Sequence, residues 1–365
     1  MSKEIDPTFT TGRKGQDRDL SRHGDRFATW CASKFEGKEL LDLHPMSQDA
    51  NGRAGEMFVF SLNDDSRFVL RRKATGSYLQ HLDQDFESEY VVQRELRKHN
   101  LPVCKTYFYE EDASIVGSPF YIMEHIDGQV PPDEPSFHYS GWVTELSADE
   151  QAALCRNSLT ALAQVHQLNP HELSLGRLFE RARPGFTHND WLVSHWRRYH
   201  EWSRGDAPYP LVTEALDWLA TNRIPNEPLS ISWGDSRPGN TIYRGAECVA
   251  LIDWDIVHLA APEKDLAWWL TLDLVSVQRA GNKRLPGWLS VDEMIAAYEE
   301  AKGQAINRDR LRYYTVYTGM AVALFIDRTL AISPDVTEET RVAMMDSPDF
   351  SPLVLLDGIM NNRIR

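Results

Sequence analysis

Cysteine is scarce in this sequence: Cys31, Cys104, Cys155 and Cys248 are widely scattered and make no CxxC pair. That excludes a cysteine-based zinc site and a disulfide framework, and the four thiols read as buried side chains of a reducing compartment. Long apolar runs are missing as well. The N-terminal MSKEIDPTFTTGRKGQDRDL is polar where a signal peptide needs an apolar core, and no later run is long enough to span a bilayer. The expectation is a cytoplasmic protein with no membrane partner. Basic residues are in deficit, with 39 Lys and Arg against 54 Asp and Glu, a formal charge of -15. A surface of that sign repels phosphate backbones, so nucleic acid is excluded as a partner. Internal repeats, low-complexity tracts and a GxGxxG glycine loop are also absent.

What is present is an ordinary globular composition, 42% hydrophobic and 25% charged, over 365 residues. That length buries a sizeable core and suits two closely packed lobes with a cleft between them. A polar tail runs to about Asp19, and a helix is expected from near Ser21 through Phe27, Trp30 and Phe35. GEMFVFSL and RFVLRR flank the turn-forming NDDS and predict a hairpin. FESEYVVQRELRK, Phe86 to Lys98, has near-helical apolar spacing, and Asn100 is placed to end it. VCKTYFYE and SPFYIMEHI are β-rich, which gives a helix laid on an antiparallel sheet of four or so strands. After the breakers of IDGQVPPDEP the pattern turns helical, opening on a Ser147/Glu150 capping box. A tryptophan-rich helical stretch follows, then a β-rich island from Leu229 to Ile252, then helices to the end with a second box at Ser290 and Glu293. The predicted class is α+β. Residues 1–40 form a tail and helix, 41–128 a small sheet lobe, and 129–365 a larger, mainly helical lobe.

The β-island carries the chemistry-bearing residues. In LSISWGDSRPGNTIY a strand ends at Trp233 and a loop then offers Asp235, Arg237 and Asn240. In GAECVALIDWD a second strand delivers Asp253, followed by Trp254 and Asp255. The spacing from Asp235 to Asn240 matches the D-x-x-x-x-N of kinase catalytic loops, and Asp253 stands where such enzymes keep a metal-binding aspartate. Phosphoryl transfer asks for positioning and charge neutralisation more than for covalent help. Asp235 would then take or orient the proton of a substrate hydroxyl, Arg237 would stabilise charge on the moving phosphoryl group, and Asn240 and Asp253 would offer hard oxygens to Mg2+.

On these motifs the chain resembles the aminoglycoside phosphotransferase family of kinase-like enzymes over nearly everything after about Leu40. WGDSRPGN stands for that family's HGDxxxxN, and Asp253, Trp254 and Asp255 stand for its DWE. The resemblance implies a two-lobed, protein-kinase-like fold, ATP and Mg2+ as cofactors, and a small-molecule hydroxylated substrate. FVLRR resembles the nucleotide-lysine strand, with Arg71 in the lysine's place, and Glu89 resembles the helix carboxylate that pairs with it. SPFYIMEHIDG resembles the strand and hinge between lobes, with Met123 lining the adenine pocket and Glu124, His125 and Ile126 offering backbone groups. NGRAGEM puts Gly52 and Gly55 in the place of a phosphate-cradling loop. Asp265, in PEKDLAWWL, is expected to hold the loop or cap the next helix. Trp233 in place of the family's histidine reads as a packing substitution.

Plainer readings stand beside these. Asp, Ser, Pro, Gly and Asn favour turns, so Asp235 and Asn240 alone would pass for one, and Asp253 for a strand-end residue. Arg71 and Glu89 would pass for solvated surface charges. The tryptophans read as packing residues rather than as a cage for a cation. Within the resemblance two substrates stay open, an aminoglycoside-type antibiotic or a hydroxyl-bearing metabolite such as a hydroxyacyl-CoA. The latter is favoured because FVLRRK and LIDWD look closest to kinase domains linked to acyl-CoA dehydrogenases. The alternative from another class is a catalytically silent nucleotide-binding pseudokinase or scaffold. Oligomeric state is not legible.

Overall fold

The computed structural model describes residues 20, 23–46, 55–73, 85–205, 208–333, 336–345, 347 and 351–364. An N-terminal antiparallel sheet is built from β1 (Leu40–Pro45), β2 (Gly55–Leu62), β3 (Arg67–Lys73), β4 (Thr106–Glu110) and β5 (Phe120–Glu124), in the order β1-β2-β3-β5-β4. The hairpin forms as the sequence predicts, with Met57 opposite Arg71 and Phe60 opposite Phe68. The sheet has one strand more than expected, because LLDLHP pairs with β2 at the edge despite being largely exposed. Exposure hides it from a reading that looks for alternating burial.

Side chains alternate across a strand, and here the two faces part cleanly. Phe58, Phe60, Phe68, Leu70, Phe120 and Ile122 pack on one face against Phe27, Trp30 and Cys31 of helix α1 (Gly24–Lys34). Val69, Tyr121 and Met123 lie on the other face, with Phe86 of α2 (Phe86–Lys98). The same alternation separates two neighbouring arginines. Arg72 goes to the α1 side and donates to Glu56, while Arg71 goes to the α2 side. A short helix, α3 (Ala113–Val116), interrupts the polar connection before β5.

The helical part contains α4 (Ala148–Gln167), α5 (His188–Arg204), α6 (Pro210–Thr221), α7 (Glu263–Arg279), α8 (Val291–Lys302), α9 (Arg308–Ala331), α10 (Glu338–Met345) and α11 (Pro352–Met360). Both expected capping boxes form at Ser147 and Ser290, and a third at Thr187 uses Asp190. The β-island consists of two ribbons, β6 (Ser230–Ser232) with β9 (His258–Ala260), and β7 (Thr241–Arg244) with β8 (Glu247–Leu251). One core joins α4 and α8 to the island through Trp233, Trp254 and Trp269; a second gathers α5, α6, α7, α9 and α11. The strand leaving the sheet is stitched to the island by paired backbone hydrogen bonds between Gln129 and Tyr243, each 2.8 Å. Gly128 makes that approach possible, since a Cβ there would collide with Ile242 and the Tyr243 carbonyl. Among the described residues no helix is long and apolar enough to cross a membrane.

Candidate active site

The loop between β6 and β7 is shaped before it does anything. Gly234 sits at φ +99°, and a Cβ there would overlap the Ile256 carbonyl, so only glycine fits between Trp233 and Asp235. Asp265, fully buried in the first turn of α7, grips the loop from below. It accepts from the Trp233 backbone at 2.6 Å, the Gly234 backbone at 3.1 Å, Ser232 Oγ at 2.8 Å and His166 Nε2 at 3.1 Å. Lys264, also fully buried, donates to the Gly234 carbonyl at 2.6 Å and lies 3.5 Å from Asp265. Burial pushes the Asp265 carboxyl up, but the Lys264 charge and the bond from His166 outweigh it, and the group titrates well below its ordinary range. Asp265 therefore holds the loop. It does not cap α7, whose N-cap is Pro262 with no side-chain bond.

From that base Asp235 is presented half-buried. Its Oδ2 accepts from Arg237 Nε at 2.9 Å and Asn240 Nδ2 at 2.8 Å, and its Oδ1 from Trp268 Nε1 at 2.7 Å. Burial pushes the carboxyl up, and the Arg237 charge with these three donors more than offsets it, so Asp235 titrates below its ordinary value. Arg237 is shared, because its other arm donates to Asp133. Asp133 was a carboxylate that sequence had no means to place; it arrives from the irregular segment after β5. Gly239 leaves the space for that ion pair.

Asp253 follows β8 in a left-handed backbone conformation, φ 62°, which turns its side chain away from the strand. Two indoles brace the turn: Trp233 Nε1 donates to the Ile252 carbonyl at 2.8 Å and Trp254 Nε1 to the Leu251 carbonyl at 2.9 Å. The Trp233 ring is fully buried against Trp254, centroids 5.9 Å apart. Asp253 Oδ1 accepts from Arg71 Nη2 at 3.2 Å, and Arg71 Nε donates to Glu89 at 2.9 Å. Arg71 and Glu89 are both buried rather than solvated. Burial pulls the guanidinium's pKa down, yet Glu89, Asp253 and Asp255 outweigh it and keep Arg71 charged. Asp255, half-buried beside Asp253, is pushed up by desolvation and by its neighbour's charge.

The structure thus brings together Asp235, Arg237, Asn240, Asp253, Arg71 and Glu89. Met123 joins Val69, Ala250, Ile242, Ile252 and Ile126 in one apolar cluster where the sheet meets the island. Of these companions the sequence marks only Ile126, and for its backbone. Glu124 spends its side chain on the Lys105 backbone at 3.1 Å, and His125 Nε2 lies 3.1 Å from Arg67. Gly55 is the first residue of β2, opposite Lys73, rather than part of a loop, and Gly52 lies outside the described residues. Asn240 donates through Nδ2, which leaves Oδ1, and Asp253 binds Arg71 through Oδ1, which leaves Oδ2. Both are hard oxygens of the kind magnesium takes alongside phosphate and water. Among the described residues no group of three or more His, Cys, Asp or Glu is arranged to hold a metal by itself.

The model of the phosphotransferase enzyme family matches residues 46–314, and the chain belongs to that family. Acyl-CoA dehydrogenase family member 11 of Pongo abelii is 29% identical over 246 residues, and that of Homo sapiens 28% over 247. Each alignment covers 65% of this chain and 30% of the relative, so the chain spans under a third of those proteins. A structure from Ralstonia eutropha JMP134 that bears the aminoglycoside phosphotransferase name superposes with TM-score 0.69 at 20% identity, covering 93% of this chain and 98% of that one. Choline kinase from Streptococcus pneumoniae gives 0.57 at 12%, covering 93% and 99%. A ternary complex of another aminoglycoside phosphotransferase with streptomycin and ATP gives 0.54 at 12%, covering 90% and 97%. At these identities the likeness establishes the two-lobed kinase-like fold.

Proposed function

We propose that this member of the phosphotransferase family transfers the γ-phosphate of ATP to a hydroxyl of a small molecule. Residues 41–128 would serve as the nucleotide lobe and 129–365 as the catalytic and acceptor lobe. The observation that carries the reading is that the loop of Asp235, Arg237 and Asn240 is joined, by the Ile252 N–H donating to the Asn240 carbonyl at 2.9 Å, to the turn of Asp253, which is tied through Arg71 to Glu89. Asp235, held ionised, takes the acceptor's proton. Arg237 faces the transferring group once its link to Asp133 yields, and its planar fork suits phosphate oxygens. Arg71, fixed by two carboxylates, turns its charge toward the α- and β-phosphates. Asn240 Oδ1 and Asp253 Oδ2 would hold magnesium, which when bound neutralises phosphate oxygens. The apolar cluster around Val69, Met123 and Ile252 suits an adenine ring, with the backbone of 124–126 at its rim.

For the acceptor, the reading favours a hydroxylated metabolite such as a hydroxyacyl-CoA over an aminoglycoside. The relatives named for acyl-CoA dehydrogenases support it. The test is an ADP-release screen with MgATP over hydroxylated compounds that include CoA thioesters and aminoglycosides. Turnover with a CoA ester supports the reading, and turnover with aminoglycosides alone reassigns the acceptor. Nucleotide binding with no turnover on any alcohol would make the chain a silent pseudokinase.

A further inference from the structure

The first turns of α7 carry three side chains to the catalytic loop, and the third, Trp268, touches Asp235 itself. Its indole Nε1 donates to Oδ1 at 2.7 Å. Arg237 Nε and Asn240 Nδ2 both donate to Oδ2, at 2.9 and 2.8 Å. A carboxylate oxygen offers two lone-pair sites, so Oδ2 is filled while Oδ1 keeps one. The indole is fixed in place: it is 2% exposed, Lys264 Nζ lies 4.6 Å from its ring centroid, and the Phe325 ring meets it edge-on at 6.3 Å. The next residue supplies a contrast. Trp269 is fully buried on the same helix, and its Nε1 has no hydrogen-bond partner among the described residues.

We propose that Trp268 is a positioning residue for Asp235, and that the acceptor hydroxyl donates to the remaining site on Oδ1, at the edge of the indole. This rests on the reading of Asp235 as the proton acceptor. In the step, the hydroxyl proton passes to Oδ1 and the acceptor oxygen forms a bond to the γ-phosphorus. The bond from that phosphorus to the β,γ-bridging oxygen breaks, and ADP leaves with its electron pair. With three donors on two oxygens the carboxylate cannot rotate to exchange them, so the proton-accepting atom stays in one position relative to the acceptor. Without the indole, Oδ1 loses its anchor while the nucleotide site is untouched.

The test uses MgATP with water as the acceptor and compares the unaltered protein with Trp268→Phe and Trp269→Phe. Trp268→Phe is expected to lower kcat for ATP hydrolysis by about ten- to a hundredfold, the worth of one hydrogen bond to a charged group, with KM for MgATP unchanged. Trp269→Phe, which removes a buried ring's bulk but no hydrogen bond, should leave kcat as it was. Equal kcat in Trp268→Phe and the unaltered protein, or equal losses in the two variants, overturns the inference. If Trp268→Phe does not fold, 3-benzothienylalanine at position 268 replaces the N–H by sulfur in a ring of the same outline, and the same loss is expected. Failure of the unaltered protein to bind MgATP overturns the kinase reading itself. Binding without any hydrolysis by the unaltered protein leaves the nucleotide site standing but withdraws Asp235 as acceptor of the water proton, and overturns the inference with it.

Discussion

Asp265→Asn tests whether the loop from Trp233 to Asn240 is held from α7. The carboxylate meets donors on both oxygens: Ser232 Oγ, the Gly234 backbone and Lys264 on Oδ1, the Trp233 backbone and His166 on Oδ2. An amide has one oxygen, so either orientation turns an NH2 toward two or more donors, and Lys264 loses its buried counter-charge. Breaking a buried ion pair by removing one partner costs about 3–5 kcal/mol. Urea unfolding followed by tryptophan fluorescence should show a loss of that order near pH 7. The sign with pH is fixed by the shift. Because the folded pKa lies below the ordinary 3.8, the carboxylate's contribution is complete above that value and fades as the pH falls through it toward the folded pKa. The gap between the two proteins should therefore close in acid. In the double variant with Lys264→Met, the two losses should be non-additive by about 1–3 kcal/mol. A single-variant loss below about 0.5 kcal/mol, the level of an ordinary surface substitution, would refute the clamp.

Two other outcomes follow from the same network and its surroundings. Arg71→Met leaves Glu89 buried and unpaired, so a loss of about 3–5 kcal/mol in unfolding and at least tenfold weaker ADP binding by calorimetry are expected; unchanged ADP affinity would remove Arg71 from the nucleotide site. Glu227, bonded to Tyr314 through Oε2 while Oε1 has no partner among the described residues, is pushed up from 4.5 to about 7 by burial. A raised acid pKa penalises the folded state once the group ionises, so stability should fall as pH rises from about 4.5 to 7 and then level off. Glu227→Gln should remove that slope, worth on the order of 3 kcal/mol at most, in thermal melts across the range.

The hairpin, α2 with its bounds, two capping boxes and the β-island were legible because each rests on local rules: alternation, 3.6-residue spacing and a Ser-x-x-Glu pair. The choice of Arg71 over Arg72 was legible only through the resemblance. Alternation says that the two face opposite ways, not which way the cleft lies. Trp268 and Asp133 were not legible as companions of Asp235 and Arg237. One sits 33 residues from its partner and the other 104, and only packing brings them together. Met123 carries a signal through the resemblance, but Val69, Ala250, Ile242 and Ile252 look like ordinary strand residues, because the apolar wall proposed for adenine and a core face have the same composition. LLDLHP escaped because an exposed edge strand lacks the burial pattern by which strands are recognised.

The central claim, that Asp235 accepts the hydroxyl proton in a phosphoryl transfer, meets its most direct test in Asp235→Asn. The amide keeps the outline of the side chain but has no basicity to offer. The account predicts a stability loss of about 1–3 kcal/mol, since the amide turns its NH2 toward a donor and leaves Arg237 to Asp133 alone, with ADP affinity within about threefold and MgATP turnover reduced by about a hundredfold or more, the range for a positioned proton acceptor. Turnover equal to that of the unaltered protein would contradict it.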